Sequence, residues 1–107
     1  LPDWYDDWVV VESEDWRQLR LHALEALATR LTDMGRLGEA IHAALAVVNV
    51  EPLRESAQAT LIRAHLAEGN QSEALRVYEQ YQSQLQTDLG IEPTPGLRDL
   101  VRGLQSP

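Results

Sequence analysis

The side chains best equipped for chemistry in this chain are its three histidines, His22, His42 and His65. Histidine is the common general base and metal ligand near neutral pH, so spacing decides what they can do. No two of them stand at i, i+3 or i, i+4, and no carboxylates complete a compact three-ligand set beside any one. Cysteine is absent, which removes disulfides, thiolate metal sites and thiol nucleophiles. No nucleophile motif or glycine-rich phosphate loop occurs either. The sequence therefore predicts no enzyme, no metal and no cofactor, and His65, on an apolar stripe, reads as a packed core side chain.

What remains is the chemistry of contact, and two sets of residues could supply it. Asp3-Trp4-Tyr5-Asp6-Asp7-Trp8 interleaves carboxylates with large rings. Trp4, Tyr5 and Trp8 form a candidate contact arm, expected to bury against the chain's own helices or a second copy, since clustered exposed apolar groups mark contacts. The second set, His22, Glu25, Thr29, Thr32, Asp33, Arg63 and Leu66, falls by helical spacing on one side of two successive helices and makes a candidate partner-binding groove.

The elements that must position these residues are helices in a repeat. Shifting the sequence by thirty-four superposes Leu19/Leu53, Arg20/Arg54, Ala23/Ala57, Leu27/Leu61, Gly35/Gly69, Glu39/Glu73 and Ala40/Ala74. The matches fall at helix contacts, at the turn and at the start of a second helix, a pattern that resembles the tetratricopeptide repeat. The predicted fold is all-α: about five helices in antiparallel pairs, the last a cap on the open end of the pair before it. Residues 1–12 read as the acidic aromatic arm, and 13–107 as one helical domain. Ser13 is the expected N-cap of the first helix, which Gly35 stops. The second helix runs from about Leu37 to Asn49 and the third from Leu53 to Ala67, with Pro52 opening it. Asn70 and Glu73 suggest a capping box on the fourth, and Leu89-Gly90-Ile91 a Schellman stop. Thr94 and Pro95 start the fifth, to about Leu104. No segment reads as a strand.

At 44% apolar and 24% charged residues the composition is that of an ordinary soluble globular protein. No run approaches the roughly 18 apolar residues of a membrane span. The net charge of −8 is uneven. Residues 1–16 carry Asp3, Asp6, Asp7, Glu12, Glu14 and Asp15 with no basic partner, whereas the rest is close to balance. Such a surface repels phosphate, so direct nucleic-acid binding is not expected. All nine basic residues are arginine and phenylalanine is missing, which reads as genome composition bias. The absence of cysteine fits a reducing, cytoplasmic setting. Met34 is the sole methionine, and a chain starting Leu-Pro-Asp without a signal peptide reads as part of a longer protein.

Particular strings point further. Tyr5-Asp6-Asp7-Trp8-Val9, Arg17-x₂-Arg20-Leu21-x-Ala23-Leu24, Glu51-Pro52-Leu53-Arg54-Glu55, Glu73-Ala74-Leu75-x₂-Tyr78 and Leu89-Gly90-Ile91-Glu92-Pro93-Thr94-Pro95-x-Leu97 occur in that order. Together, over residues 4–105, they resemble the bacterial transcriptional activator domain of the SARP class of antibiotic-regulatory activators. The resemblance implies a helical domain that follows a winged-helix DNA-binding domain, supports dimerisation and contacts the transcription machinery. It implies no catalytic or cofactor residue. Ser13 and Asp15 stand where that family is richer in Glu and Arg, so this first helix is unusually acidic. The expected partners are therefore proteins: the upstream DNA-binding domain, a second copy and the transcription machinery, with no membrane. A stand-alone tetratricopeptide adaptor is the alternative.

Overall fold

A computed structural model describes the backbone of residues 3–105 and the side chains of residues 14–104. Five helices follow one another: α1 Asp3–Asp33, α2 Leu37–Val50, α3 Glu55–Ala67, α4 Gln71–Leu89 and α5 Pro95–Gln105. No strand occurs among the described residues. α1 packs on α2 and α3, and α3 also packs on α2, α4 and α5. The first helices of successive pairs thus make one layer, α1–α3–α5, with α2 and α4 behind it.

The thirty-four-residue period holds in the backbone. α1 and α3 both end two residues before a glycine of positive φ, Gly35 at 79° and Gly69 at 83°, a conformation that costs glycine nothing. Each glycine closes a Schellman motif. Gly35 N–H donates to the Thr32 carbonyl (3.0 Å) and Arg36 N–H to that of Leu31 (2.9 Å); Gly69 donates to Leu66 (3.0 Å) and Asn70 to His65 (2.9 Å). The chain reverses, and the next helix starts at Leu37 or Gln71. Gly90 differs from the expectation. Its N–H reaches Gln86 (2.9 Å) and Leu85 (3.1 Å), the simpler left-handed cap. Beyond it residues 91–94 are in no helix, and the Ile91 N–H makes no backbone bond to α4.

Other helix ends also correct the sequence reading. Ser13 is no cap: α1 is continuous from Asp3, because neither glycine nor proline interrupts 3–34. The arm is thus the start of α1, while the side chains of Trp4, Tyr5 and Trp8 lie outside the described residues. Pro52 does not open α3. It takes the second place of a turn closed by Arg54 N–H on the Glu51 carbonyl (3.1 Å), and α3 starts at Glu55. Asn70 precedes α4 without a side-chain cap bond, and Glu73 turns instead to Arg76 (2.7 and 3.0 Å). Thr94 does cap α5, its Oγ1 accepting the Leu97 N–H (3.5 Å).

Alanines let the layers approach: Ala28, Ala40, Ala44, Ala57, Ala64 and Ala74 are fully buried. Leu61, Ile62, Val47, Tyr78 and Val101 fill the space between. Because Ala40 and Ala74 hold the same place in each pair, Ala40→Leu and Ala74→Leu should each overpack a helix crossing and cost about 1–3 kcal/mol. Melting curves of the two variants check this; wild-type curves would mean the contacts can open without penalty.

The family-like strings meet in space. The Glu55 carboxylate accepts from the Tyr81 hydroxyl (2.9 Å), from the Thr94 N–H (3.3 and 3.4 Å) and from the Thr94 hydroxyl. One side chain at the start of α3 therefore ties α4 to the Pro93-Thr94-Pro95 corner that launches α5. Burial, and then the bond to and charge of Glu55, push the Tyr81 phenol above the ordinary tyrosine range; burial does the same to Tyr78. The raised folded-state value favours the neutral phenol. This contribution is complete below the unfolded pKa of about 10 and is lost as pH rises toward the folded value. The melting temperature should fall above about pH 10, and Tyr81→Phe should flatten that fall. An equally steep fall in the variant would assign it to other groups.

Candidate interaction groove

Where α1 and α3 lie side by side, a shallow cleft of about 430 Å³ opens between them, with His22, Glu25, Ala26 and Thr29 on one wall. Arg54, Ser56, Ala59, Thr60 and Arg63 form the other. At one end the Arg54 Nε donates to Glu25, and the guanidinium also meets Gln18 Oε1 and the His22 ring at 3.4 Å. Both charged side chains are mostly withdrawn from water, Arg54 being 19% and Glu25 12% exposed. This pair joins the first helix of one repeat to the turn that precedes the second. Ser56 and Arg63 are exposed, and Thr60 is buried with its hydroxyl on the Ser56 carbonyl (2.9 Å). With Glu25 neutralised by Arg54, the uncommitted charge on the cleft is the Arg63 guanidinium, which meets no carboxylate among the described residues.

Of the seven groove residues expected from spacing, His22, Glu25, Thr29 and Arg63 come together here. Thr32, Asp33 and Leu66 do not line the cleft. The Thr32 hydroxyl donates to the Ala28 carbonyl (2.8 Å), Asp33 sits exposed at the end of α1, and Leu66 packs on the core beneath α4 and α5. Arg54, Ser56 and Thr60 were not anticipated, although the Arg20/Arg54 match marked Arg54 as a repeat position. His65 is in the core, 9% exposed, its Nδ1 3.7 Å from Glu68. Among the described residues no three side chains of metal-binding type converge, and no described helix is long and apolar enough to cross a membrane.

The arrangement is a helical stack that offers a polar cleft, and sequence comparison supplies its context. The profile of the family described as "Bacterial transcriptional activator domain" matches residues 1–105. The chain belongs to that family. It is similar to the Regulatory protein AfsR of Streptomyces coelicolor, 37% identical over 89 residues, and to the Regulatory protein AfsR of Streptomyces griseus, 33% over 103. The matches take in 80% and 94% of this chain but 8% and 10% of those relatives. No solved structure matches. This is a transcriptional activator domain of the SARP type, from a family of regulators rather than of enzymes.

Proposed function

We propose that this activator domain works through protein contact, as a dimerising and recruiting module, while DNA is held by a winged-helix domain elsewhere in the regulator. The observation that carries this reading is the fate of the arginines. Arg17, Arg36, Arg54, Arg76 and Arg102, more than half of the nine, are already paired with carboxylates of the same chain. With a net charge of −8, no basic stripe is left to neutralise a phosphate backbone, the main source of non-specific nucleic-acid affinity. The cleft between α1 and α3, with Arg63 beside hydroxyl groups, suits a polar segment bearing carboxylates. The adaptor alternative shares the fold but has nothing to set against the family match.

In a fluorescence titration at physiological salt, this chain should show no specific DNA binding. Sub-micromolar affinity with a steep salt slope would end the proposed division of labour. Arg63→Glu in the complete regulator should lower promoter activation while leaving DNA affinity and melting temperature unchanged. Undiminished activation would remove the cleft from the reading.

A further inference from the structure

Between α2 and α4, with α3 as its floor, lies a cavity of about 430 Å³. Its α2 wall is aliphatic, made by Ile41, Leu45 and Val48. The facing wall and the floor come from α4 and α3, and the thirty-four-residue shift shows how they depart from the first repeat. Gln58 stands where the first repeat has Leu24, and His65 where it has Leu31. Gln80 stands for Ala46 and Gln84 for Val50. At no lining position of α3 or α4 does the change run the other way, from polar to apolar. A joint that had only to pack would gain from the opposite trend, since buried apolar groups stabilise and buried polar ones cost.

His65 departs furthest. It is 9% exposed, and its Nδ1 is sealed without a hydrogen-bond partner among the described residues, Glu68 Oε1 standing off at 3.7 Å. A buried polar atom left unbonded carries its full desolvation penalty, and such an atom in a folded chain calls for a reason. Glu68 does not line the cavity. With Nδ1 turned to Glu68, the ring edge left to the cavity is Nε2. Gln58 is also buried, and its amide nitrogen is committed to the Pro52 carbonyl (2.8 Å), which leaves its Oε1 as an acceptor. Gln80 and Gln84 are exposed along the opposite wall. The one carboxylate and the one guanidinium on the rim, Glu73 and Arg76, hold each other at 2.7 Å. The cavity thus offers amide and imidazole groups against an aliphatic wall, with no uncommitted charge on its rim.

We propose that this cavity binds a small uncharged molecule with a branched hydrocarbon body and an amide group. The hydrocarbon lies on Ile41, Leu45 and Val48. The amide, a donor and an acceptor at once, matches the side-chain amides of Gln80 and Gln84, which are the same. Its N–H donates to His65 Nε2. That bond fixes the ring proton on Nδ1, where it faces Glu68, so binding relieves the polar atom that folding leaves unbonded. A volume of about 430 Å³ falls within the range of small-molecule sites. An anion or a cation gains nothing there, because the rim charges already answer each other. The site is independent of the α1–α3 cleft and of how DNA is bound.

The probe for the test is the cyclic dipeptide of glycine and leucine, titrated into the nitrogen-15-labelled chain while backbone and histidine-ring resonances are followed. Saturable shifts should be confined to the cavity lining, with a Kd on the order of 1 mM for a probe of about a dozen heavy atoms. The His65 ring should settle with its proton on Nδ1. The cyclic dipeptide of two glycines, which lacks the hydrocarbon, and 4-methylpentanoate, which is charged, should bind roughly tenfold more weakly or worse. His65→Leu restores the residue of the first repeat. Its melting temperature should hold or rise while affinity falls about tenfold or more. Leu45→Gln, at a wall position 38% exposed, should weaken binding without unfolding the chain, and it decides the matter if His65→Leu does not fold. No saturable shift, shifts spread beyond the lining, equal binding of 4-methylpentanoate or undiminished affinity in the folded variants overturns the proposal. A His65→Leu chain that melts lower and binds as before makes the histidine a packing residue only, with the same consequence.

Discussion

Replacing Arg54 with alanine is expected to cost the fold about 3–5 kcal/mol, the range for stranding one member of a buried ion pair. Glu25 is 12% exposed and depends on the Arg54 guanidinium for its main counter-charge. With Arg54 truncated, the carboxylate stays in the joint between α1 and α3, desolvated and unpaired. Gln18 and His22 lose their guanidinium contact as well. The i, i+3 pairs Arg36–Glu39 and Arg102–Asp99 are exposed, and cutting them should cost within about 1 kcal/mol. The double change Arg54→Met with Glu25→Leu removes both charges and should recover most of the loss, since well-packed apolar replacements of a buried pair are often neutral. Chemical denaturation of the two single variants and the double variant gives the coupling directly. If Arg54→Ala lies within 1 kcal/mol of wild type, water reaches the pair and the joint is held by apolar contact alone.

That pair also shows what the sequence makes legible and what it hides. Helix number, order and the glycine stops follow from local signals, because amphipathic spacing and a positive-φ residue act within a turn or two of chain. The start of α1 does not follow. Ser13 and the two acids after it have the chemistry of a cap, but capping is worth about 1 kcal/mol, and nothing before Ser13 breaks the helix. Glu73 illustrates the same competition: both a capping box and an i, i+3 partner were open to it, and Arg76 took it, holding its carboxyl below the usual range.

The candidate groove was legible in half. Residues spaced along α1 could be placed on one face from their period. Arg54 could not, because it reaches that face from a turn, and its direction depends on how α3 crosses α1. Leu66 shows the opposite error. Helical spacing put it beside Arg63, but the half-buried leucine packs against the core that α3 shares with α4 and α5. Periodicity assigns residues to faces of a helix; only packing decides which faces remain open.

The sharpest case is a pair of leucines that the sequence makes identical. Leu27 and Leu61 are superposed by the repeat, sit six residues before the ends of α1 and α3 and differ in burial, at 46% and 1% exposed. Leu61→Ala should cost about 2–5 kcal/mol, the transfer of its methyl groups plus the cavity left among Ala28, Ala43 and Ala44. Leu27→Ala, at the same place in the repeat, should cost about 1 kcal/mol or less, because nearly half of its surface already meets water among the described residues. The difference isolates what a following helix pair inherits from the one before it, with residue type and repeat position held constant. Denaturation midpoints and slopes for both variants measure it. Equal losses would mean that Leu27 is covered in solution by something other than water, even in the isolated chain.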